Sequence, residues 1–199
     1  MADAVLAALA AVPPLEWLAV VLALGYLLLA IRQDAWCWAF AIASALLYCV
    51  VFARAGLRMQ AALQVFFVAM AIYGWRQWRG TAVAPPRPVG RWPWRRHVAG
   101  LAAIALLTAA SVAWLPRTTA TWVGAADAAT AWASVFTTWL VARKVLENWL
   151  WWIVIDLVAV VLYATQGLHA TAALYLLYAG LAVRGYVAWR DDLRGHVRG

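Results

Sequence analysis

A single carboxylate, Asp156, lies deep inside an apolar stretch, ENWLWWIVIDLVAVVLY, that is long enough to cross a membrane as a helix. It follows the start of that predicted span by about eight residues, or roughly 12 Å of helix. An ionisable group at that depth needs a polar partner or a wet cavity, and it therefore points to a functional site. The structural alternative is a carboxyl group that only ties two helices together by hydrogen bonds.

The helix face that carries Asp156 also carries an amide and two indoles. At about 100° per residue, Asn148, Trp149 and Trp152 fall within one arc together with Asp156. Indole faces attract cations and stack on flat rings, and an amide both donates and accepts hydrogen bonds. The strip therefore predicts a site for a flat, hydroxylated, cationic heteroaromatic solute. Trp149 has the alternative role of a membrane-surface anchor, and Trp151 is predicted to face lipid.

A second candidate face lies in the apolar segment MQAALQVFFVAMAIYGW. Gln60, Gln64 and Phe67 share one side of a helix there, and amides within a membrane need polar partners. Both glutamines are therefore predicted to face the bundle interior, with Gln64 as the deeper candidate ligand. The apolar segments of the chain form two similar groups. Tyr175 in the second group takes the position of Gln64 in the first, and Tyr178 takes that of Phe67. For the two tyrosines, packing between helices is an equal alternative to contact with the solute.

The composition indicates that a membrane surrounds the elements that position these side chains. Of the 199 residues, 67% are apolar and 12% are charged, whereas soluble domains are about half apolar and a quarter charged. The chain is therefore predicted to be an all-α integral membrane protein with seven transmembrane helices, and a soluble enzyme is excluded. The apolar segments are 15–31, 36–53, 59–76, 97–115, 122–141, 148–165 and 170–187.

The segments form two similar groups of three, with the fourth segment between them. Several Arg, Trp and Gly positions coincide when the chain is shifted along itself, without gaps, so that Arg32 meets Arg143. The same shift pairs Trp38 with Trp149, Gly74 with Gly185, and Trp78 with Trp189. The pattern predicts two parallel three-helix repeats about an axis along the membrane normal, joined by a linker helix, with a substrate site between the repeats.

The repeat defines the predicted domains and the distribution of charge defines the orientation. The domains are a surface segment at 1–14, the first repeat at 15–79, a linker and fourth transmembrane helix at 80–121, the second repeat at 122–190 and a tail at 191–199. Of the sixteen basic residues, all but Arg54, Arg58 and Arg117 fall on the side of the C-terminus. The N-terminus is therefore predicted outside and the C-terminus in the cytoplasm. Orientation and anionic lipid explain the net charge of +8 without a nucleic-acid partner.

The sequence lacks the usual signatures of catalysis and of ATP-driven transport. It has no glycine-rich phosphate-binding loop, and no serine nucleophile with a nearby base is apparent. Its only lysine, Lys144, lies at the end of the fifth segment, and its three histidines, His97, His169 and His196, lie near segment ends. We expect no enzyme, no metal site and no cofactor.

The segments ENWLWW at 147–152 and LQVFFVAMAIYGW at 63–75 resemble the Pnu family of bacterial vitamin transporters, whose best-known members carry nicotinamide riboside. The three-one-three layout matches that family over nearly the whole chain. The resemblance implies a fold like that of full-length SWEET sugar transporters, a homotrimer in the bacterial inner membrane, and facilitated diffusion with the vitamin trapped inside by phosphorylation. The side chains that fall in the family's binding motifs are Gln64, Asn148, Trp149 and Trp152.

Three functions are compatible with these features. Nicotinamide riboside has a cationic pyridinium ring and a ribose, which fit a strip of indole, amide and carboxylate groups. Thiamine is cationic and aromatic as well, so the residues do not separate these two small-molecule substrates. The alternative from another class is a heptahelical sensor or assembly subunit that transports nothing, for which the tail RDDLRGHVRG offers little output surface.

Overall fold

The structure, a computed structural model, describes residues 14–54, 58–80, 86–114, 122–165 and 167–198, and nearly all of them are α-helical. The helices are α1 (Pro14–Ile31), α2 (Cys37–Arg54), α3 (Arg58–Arg79), α4 (Trp94–Trp114), α5 (Trp122–Ala142), α6 (Asn148–Thr165) and α7 (His169–Arg198). They coincide with the seven predicted segments to within a few residues, except that α7 continues through the predicted tail. The predicted surface segment 1–14 lies outside the described residues, apart from Pro14 at the start of α1.

Length and apolarity mark several of these helices as membrane spans. Within the described ranges, Trp94–Trp114, Asn148–Thr165 and Thr171–Gly195 are long and apolar enough to cross a bilayer, and Val20–Ile31 and Cys37–Val50 are shorter apolar stretches. Large apolar side chains point outward from them. Leu106 on α4, for example, has 72% of its surface exposed. A lipid environment accommodates such side chains, whereas water penalises them.

The chain divides into two compact units, residues 1–88 and 89–199, which we call the N-terminal and C-terminal units. In the N-terminal unit α2 packs against α1 and α3. In the C-terminal unit α5 packs against α4 and α6, and α6 packs against α7. The fourth helix, which the sequence places between two groups of three, therefore packs as part of the C-terminal unit.

The turn between α1 and α2 has the same backbone geometry as the turn between α5 and α6. Gln33 and Lys144 both adopt left-handed conformations, with φ of 58° and 49°. In each turn the next amide, of Asp34 or Val145, donates to the carbonyl oxygen five residues earlier at 3.0 Å. These bonds form a Schellman motif, which satisfies the last carbonyls of the preceding helix. The two motifs lie at positions that coincide under the shift that pairs Arg32 with Arg143.

A buried tryptophan follows each of these turns and packs on a glycine of the same unit. Trp38 lies on Gly74 of α3, and Trp149 lies on Gly185 of α7. A β-carbon at either glycine would overlap the indole, so the close approach of the two helices requires glycine there. The rings that contact these indoles edge-on, with centroids 5.5 Å and 5.4 Å away, are those of Trp78 and Trp189.

Candidate functional site

Four of the nine predicted site residues lie on α6, and a backbone turn stands at each end of this helix. α6 begins at Asn148 directly after the left-handed turn at Lys144, and it ends at Thr165 before Gly167, whose φ is +76°. Between these ends its residues are apolar, aromatic or small except for Asp156, which is its one charged residue.

Asn148 is completely buried at the first position of α6. Its Nδ2 donates a hydrogen bond of 2.6 Å to the carbonyl oxygen of Val145 and so helps to close the turn. Its Oδ1 is buried and has no hydrogen-bond partner among the described residues. Burial of an acceptor without a hydrogen-bond partner lowers the stability of the fold by about 1–3 kcal/mol. A hydrogen bond from a donor on a solute would offset that loss. A solute reaches that oxygen only if the turn opens.

Trp149 is enclosed by its own unit, with 1% of its surface exposed. One face of its ring lies on Gly185, and its neighbour Trp189 meets it at an interplanar angle of 89°. The stacking of Trp149 on a solute stays a prediction, and in this conformation Gly185 and Trp189 cover the ring. The same burial argues against a membrane-surface anchor.

Trp152 retains part of its surface, one turn further along α6. It is half-buried and packs on an apolar cluster formed by Ile104 of α4, Ala133 of α5 and Ile155 of α6. The contact fixes one side of the indole and leaves another side open. Of the two tryptophans in the predicted strip, Trp152 is therefore the one able to offer a ring face to a solute.

Asp156 is buried, with 5% of its surface exposed, and no basic side chain of the described residues pairs with it. It lies within electrostatic range of Tyr175 on α7. Tyr175 stacks on Tyr163 of α6 at 5.2 Å between ring centroids and meets Tyr178 edge-on at 5.7 Å. We call Asp156, Tyr163, Tyr175 and Tyr178 the carboxylate–tyrosine cluster. It brings three predicted site residues together in the C-terminal unit.

Tyr163 is a member of this cluster that the sequence analysis missed. It follows Asp156 by seven residues, or about two helical turns, and the two side chains therefore share one face of α6. That spacing was the available signal, since a tyrosine on the face of a buried carboxylate offers both a ring and a hydroxyl.

The predicted residues of the other face lie on α3 in the N-terminal unit. Gln64 and Phe67 are both half-buried, and the ring of Phe67 meets that of Phe66 edge-on at 5.8 Å. Gln60 lies one turn before Gln64 on the same helix, and its side chain lies outside the described part of the structure.

A charged contact ties the linker to the start of α6. Glu147 accepts a hydrogen bond of 2.8 Å from Nε of Arg91 and one of 3.1 Å from the backbone amide of Trp92. The carboxylate also raises the pKa of the Arg91 guanidinium, chiefly through that hydrogen bond. Gly90 adds two backbone hydrogen bonds, of 3.0 Å and 2.8 Å, to the turn that precedes α6. We call this arrangement the linker–α6 contact.

Trp151 corrects one expectation, because it does not simply face lipid. It is half-buried, and its Nε1 donates a hydrogen bond of 3.2 Å to Nδ1 of His97 on α4. Its ring also meets Phe136 of α5 edge-on at 5.3 Å. The prediction of a lipid-facing Trp151 was wrong because the helix face alone does not show that α4 and α5 approach it.

Comparison with known proteins gives the family. The model of the nicotinamide mononucleotide transporter family matches residues 13–191. The chain belongs to this family.

The relatives and the fold agree with that assignment. The chain is 29% identical over 181 residues to the nicotinamide riboside transporter PnuC of Escherichia coli (strain K12), covering 78% of this chain and 76% of that protein. It is 30% identical over 174 residues to the riboflavin/roseoflavin transporter RibM of Streptomyces davaonensis, covering 85% and 79%. The crystal structure of the vitamin B3 transporter PnuC has a similar fold, with a TM-score of 0.69 at 20% identity, over 92% of this chain and 83% of that one. The chain is thus an all-α, multi-pass protein of the bacterial inner membrane.

Proposed function

We propose that this protein is a membrane transporter for the uptake of nicotinamide riboside. The observation that carries the proposal is the buried Asp156, which has no basic partner among the described residues and lies one helical turn from the half-buried Trp152. An unpaired carboxylate within a membrane is costly, and a bound cation offsets that cost. The family match and the relative named as a nicotinamide riboside transporter support the same substrate.

The chemistry of the solute assigns a role to each residue. Trp152 stacks on the pyridinium ring, and the charge of Asp156 favours the cation. Tyr175 and Tyr178 line the same region of the C-terminal unit, and their hydroxyls suit the ribose. Gln64, Gln60 and Phe67 on α3 are the candidate ligands of the N-terminal unit, which offers amides and a ring. Asn148 and Trp149 hold the start of α6 in place, and the free Oδ1 of Asn148 is available only when that turn opens.

The transport mechanism that we propose is facilitated diffusion by alternating access between two parallel repeats joined by α4. The ends of the helices support the repeat, because the shift that pairs Arg32 with Arg143 also pairs Ile31 with Ala142, the last residues of α1 and α5. It likewise pairs the first residues of α2 and α6. The distribution of basic residues supports an N-terminus outside and a C-terminus in the cytoplasm. Phosphorylation of the vitamin inside the cell then draws transport inward, and the resemblance to the Pnu family supports a homotrimer.

A flavin is the second candidate substrate, because one relative at 30% identity is named as a riboflavin/roseoflavin transporter. The isoalloxazine ring would stack on Trp152 as a pyridinium does. It is neutral, however, and gains nothing from the charge of Asp156, so the cationic vitamin is favoured. Thiamine remains the cationic alternative, and a sensor that transports nothing remains the alternative from another class.

The experiment that tests the proposal compares binding of nicotinamide riboside, thiamine and riboflavin to the purified protein by calorimetry. We expect saturable binding of nicotinamide riboside with the highest affinity. A higher affinity for thiamine or riboflavin would make that vitamin the substrate. Binding of none of the three would contradict the proposal. Flux into sealed vesicles that contain only this protein then separates a transporter from a sensor. For facilitated diffusion we expect nicotinamide riboside to reach equal concentrations inside and outside the vesicles. It should not accumulate when a proton or sodium gradient is imposed.

A further inference from the structure

A groove of about 440 Å³ opens between the start of α4 and the end of α5, in the C-terminal unit and apart from the carboxylate–tyrosine cluster. Its lining combines aromatic rings, two guanidinium groups and two small residues. The lining residues are Trp92, Arg96, Ala99, Gly100, Phe136, Trp139 and Arg143. We call it the α4–α5 groove.

Aromatic rings hold both guanidinium groups of the groove. The Arg96 guanidinium carbon lies 5.2 Å from the Trp92 ring centroid, and that of Arg143 lies 5.4 Å from the Trp139 ring centroid. The two indoles also meet each other at 5.0 Å, nearly perpendicular. Cation–π contact of this kind orients a guanidinium without neutralising its charge.

The positive charge of the groove has no counterpart among the described residues. Neither Arg96 nor Arg143 pairs with a carboxylate there, and the nearby Glu147 is engaged by Arg91 and the Trp92 amide. The Nε of Arg143 is also buried without a hydrogen-bond acceptor in the described part of the chain. Two fixed guanidinium groups with open donors match the oxygens of a phosphate group.

We propose that the α4–α5 groove binds the phosphate of an anionic phospholipid. The groove lies at the ends of two spans, where tryptophan and arginine meet the headgroups of a bilayer. Further along the same side of α4, Leu106 and Leu107 are 72% and 42% exposed and form an apolar surface along which acyl chains can lie. The floor of the groove is closed by the Phe136 ring, which packs directly on Gly100, where a β-carbon would overlap it. The site stands whichever way the chain is oriented, and the proposed orientation places it in the cytoplasmic leaflet.

Native mass spectrometry of the detergent-purified protein tests the proposal with added phosphatidylglycerol and, in parallel, with phosphatidylcholine. The variant carries Arg96→Gln and Arg143→Gln together, and the matched control is Arg95→Gln, an exposed arginine of α4 that does not line the groove. We expect preferential retention of phosphatidylglycerol by the wild type and the control, and a loss of affinity on the order of tenfold in the double variant. Equal retention by all three proteins, or no preference for the anionic lipid, would overturn the proposal.

A second arm separates a lipid headgroup from free phosphate as the source of the anion. Inorganic phosphate at millimolar concentration should not displace bound phosphatidylglycerol, because it lacks the acyl chains that lie on α4. Displacement by phosphate alone would overturn assignment to a lipid. The single variant Arg96→Gln, at an exposed residue, provides the same comparison should the double variant fail to fold.

Discussion

The indole of Trp149 lies on Gly185, and a β-carbon at that glycine would be 2.6 Å from the ring. Both residues belong to the C-terminal unit, where α6 crosses α7. The N-terminal unit contains the equivalent pair, Trp38 and Gly74, at the positions that the repeat matches to these two. Trp149, one of the two tryptophans predicted to stack on the solute, is thus packed where α6 crosses α7.

Replacement of Gly185 by alanine should destabilise the protein by about 1–3 kcal/mol, because the new methyl group forces the Trp149 ring to move. Gly180→Ala is the matched control on the same helix, since nothing lies within 4 Å of a β-carbon at that position. The control should be neutral or stabilising by up to about 1 kcal/mol. Thermal unfolding in detergent measures both. Equal melting temperatures for the two variants would contradict the packing described here.

Replacement of Trp152 by alanine should lower the affinity for nicotinamide riboside about tenfold, because a partly desolvated cation–π contact contributes about 1–2 kcal/mol. Val154→Ala, at a side chain that is 59% exposed on another face of α6, is the control. Calorimetry on both proteins gives the affinities. Wild-type affinity in a folded Trp152→Ala protein would remove this residue from the site.

Replacement of Asp156 by asparagine separates a binding role from a structural one. We expect the affinity for cationic nicotinamide riboside to fall about tenfold, and that for its neutral dihydro form to change little, because only the cation interacts with the lost charge. The variant should melt at the same temperature as the wild type or higher, since an unpaired buried charge is removed. A marked fall in the melting temperature, with equal losses for both ligands, would assign Asp156 to helix packing instead.

Replacement of Glu147 by glutamine should destabilise the linker–α6 contact by about 1–2 kcal/mol, because two hydrogen bonds lose their charged acceptor. Arg91→Gln should cost less than about 1 kcal/mol, since the Arg91 side chain is 63% exposed and water screens its charge. Thermal unfolding at low and high salt checks the order of the two effects. A larger loss from Arg91→Gln than from Glu147→Gln would contradict the arrangement.

The helices and the depth of Asp156 could be predicted from local sequence, because apolar runs end at charges, glycine and proline. The burial of Trp149 could not, since helical periodicity gives the direction of a side chain but not what the next helix presents to it. Gly185, which receives the indole, lies in that next helix. The contact between Arg91 and Glu147 spans 56 residues, and spacing does not select one such pair among sixteen basic residues. Tyr163 could have been predicted from the sequence, because it shares a helix face with Asp156.

The residues that shape the helices differ from those that we propose bind the solute. The first set forms the Schellman turns and the Trp–Gly contacts, and the second lies in the middle of α6. The turn and the Trp–Gly contact recur in both units, whereas the positions that the repeat matches to Trp152 and Asp156 are Ala41 and Ala45. A few substitutions in the middle of α6 would therefore alter the chemistry offered to a vitamin while leaving the turn and its packing unchanged. Substrate preference in this architecture is in that sense a modular property, open to redesign without rebuilding the bundle.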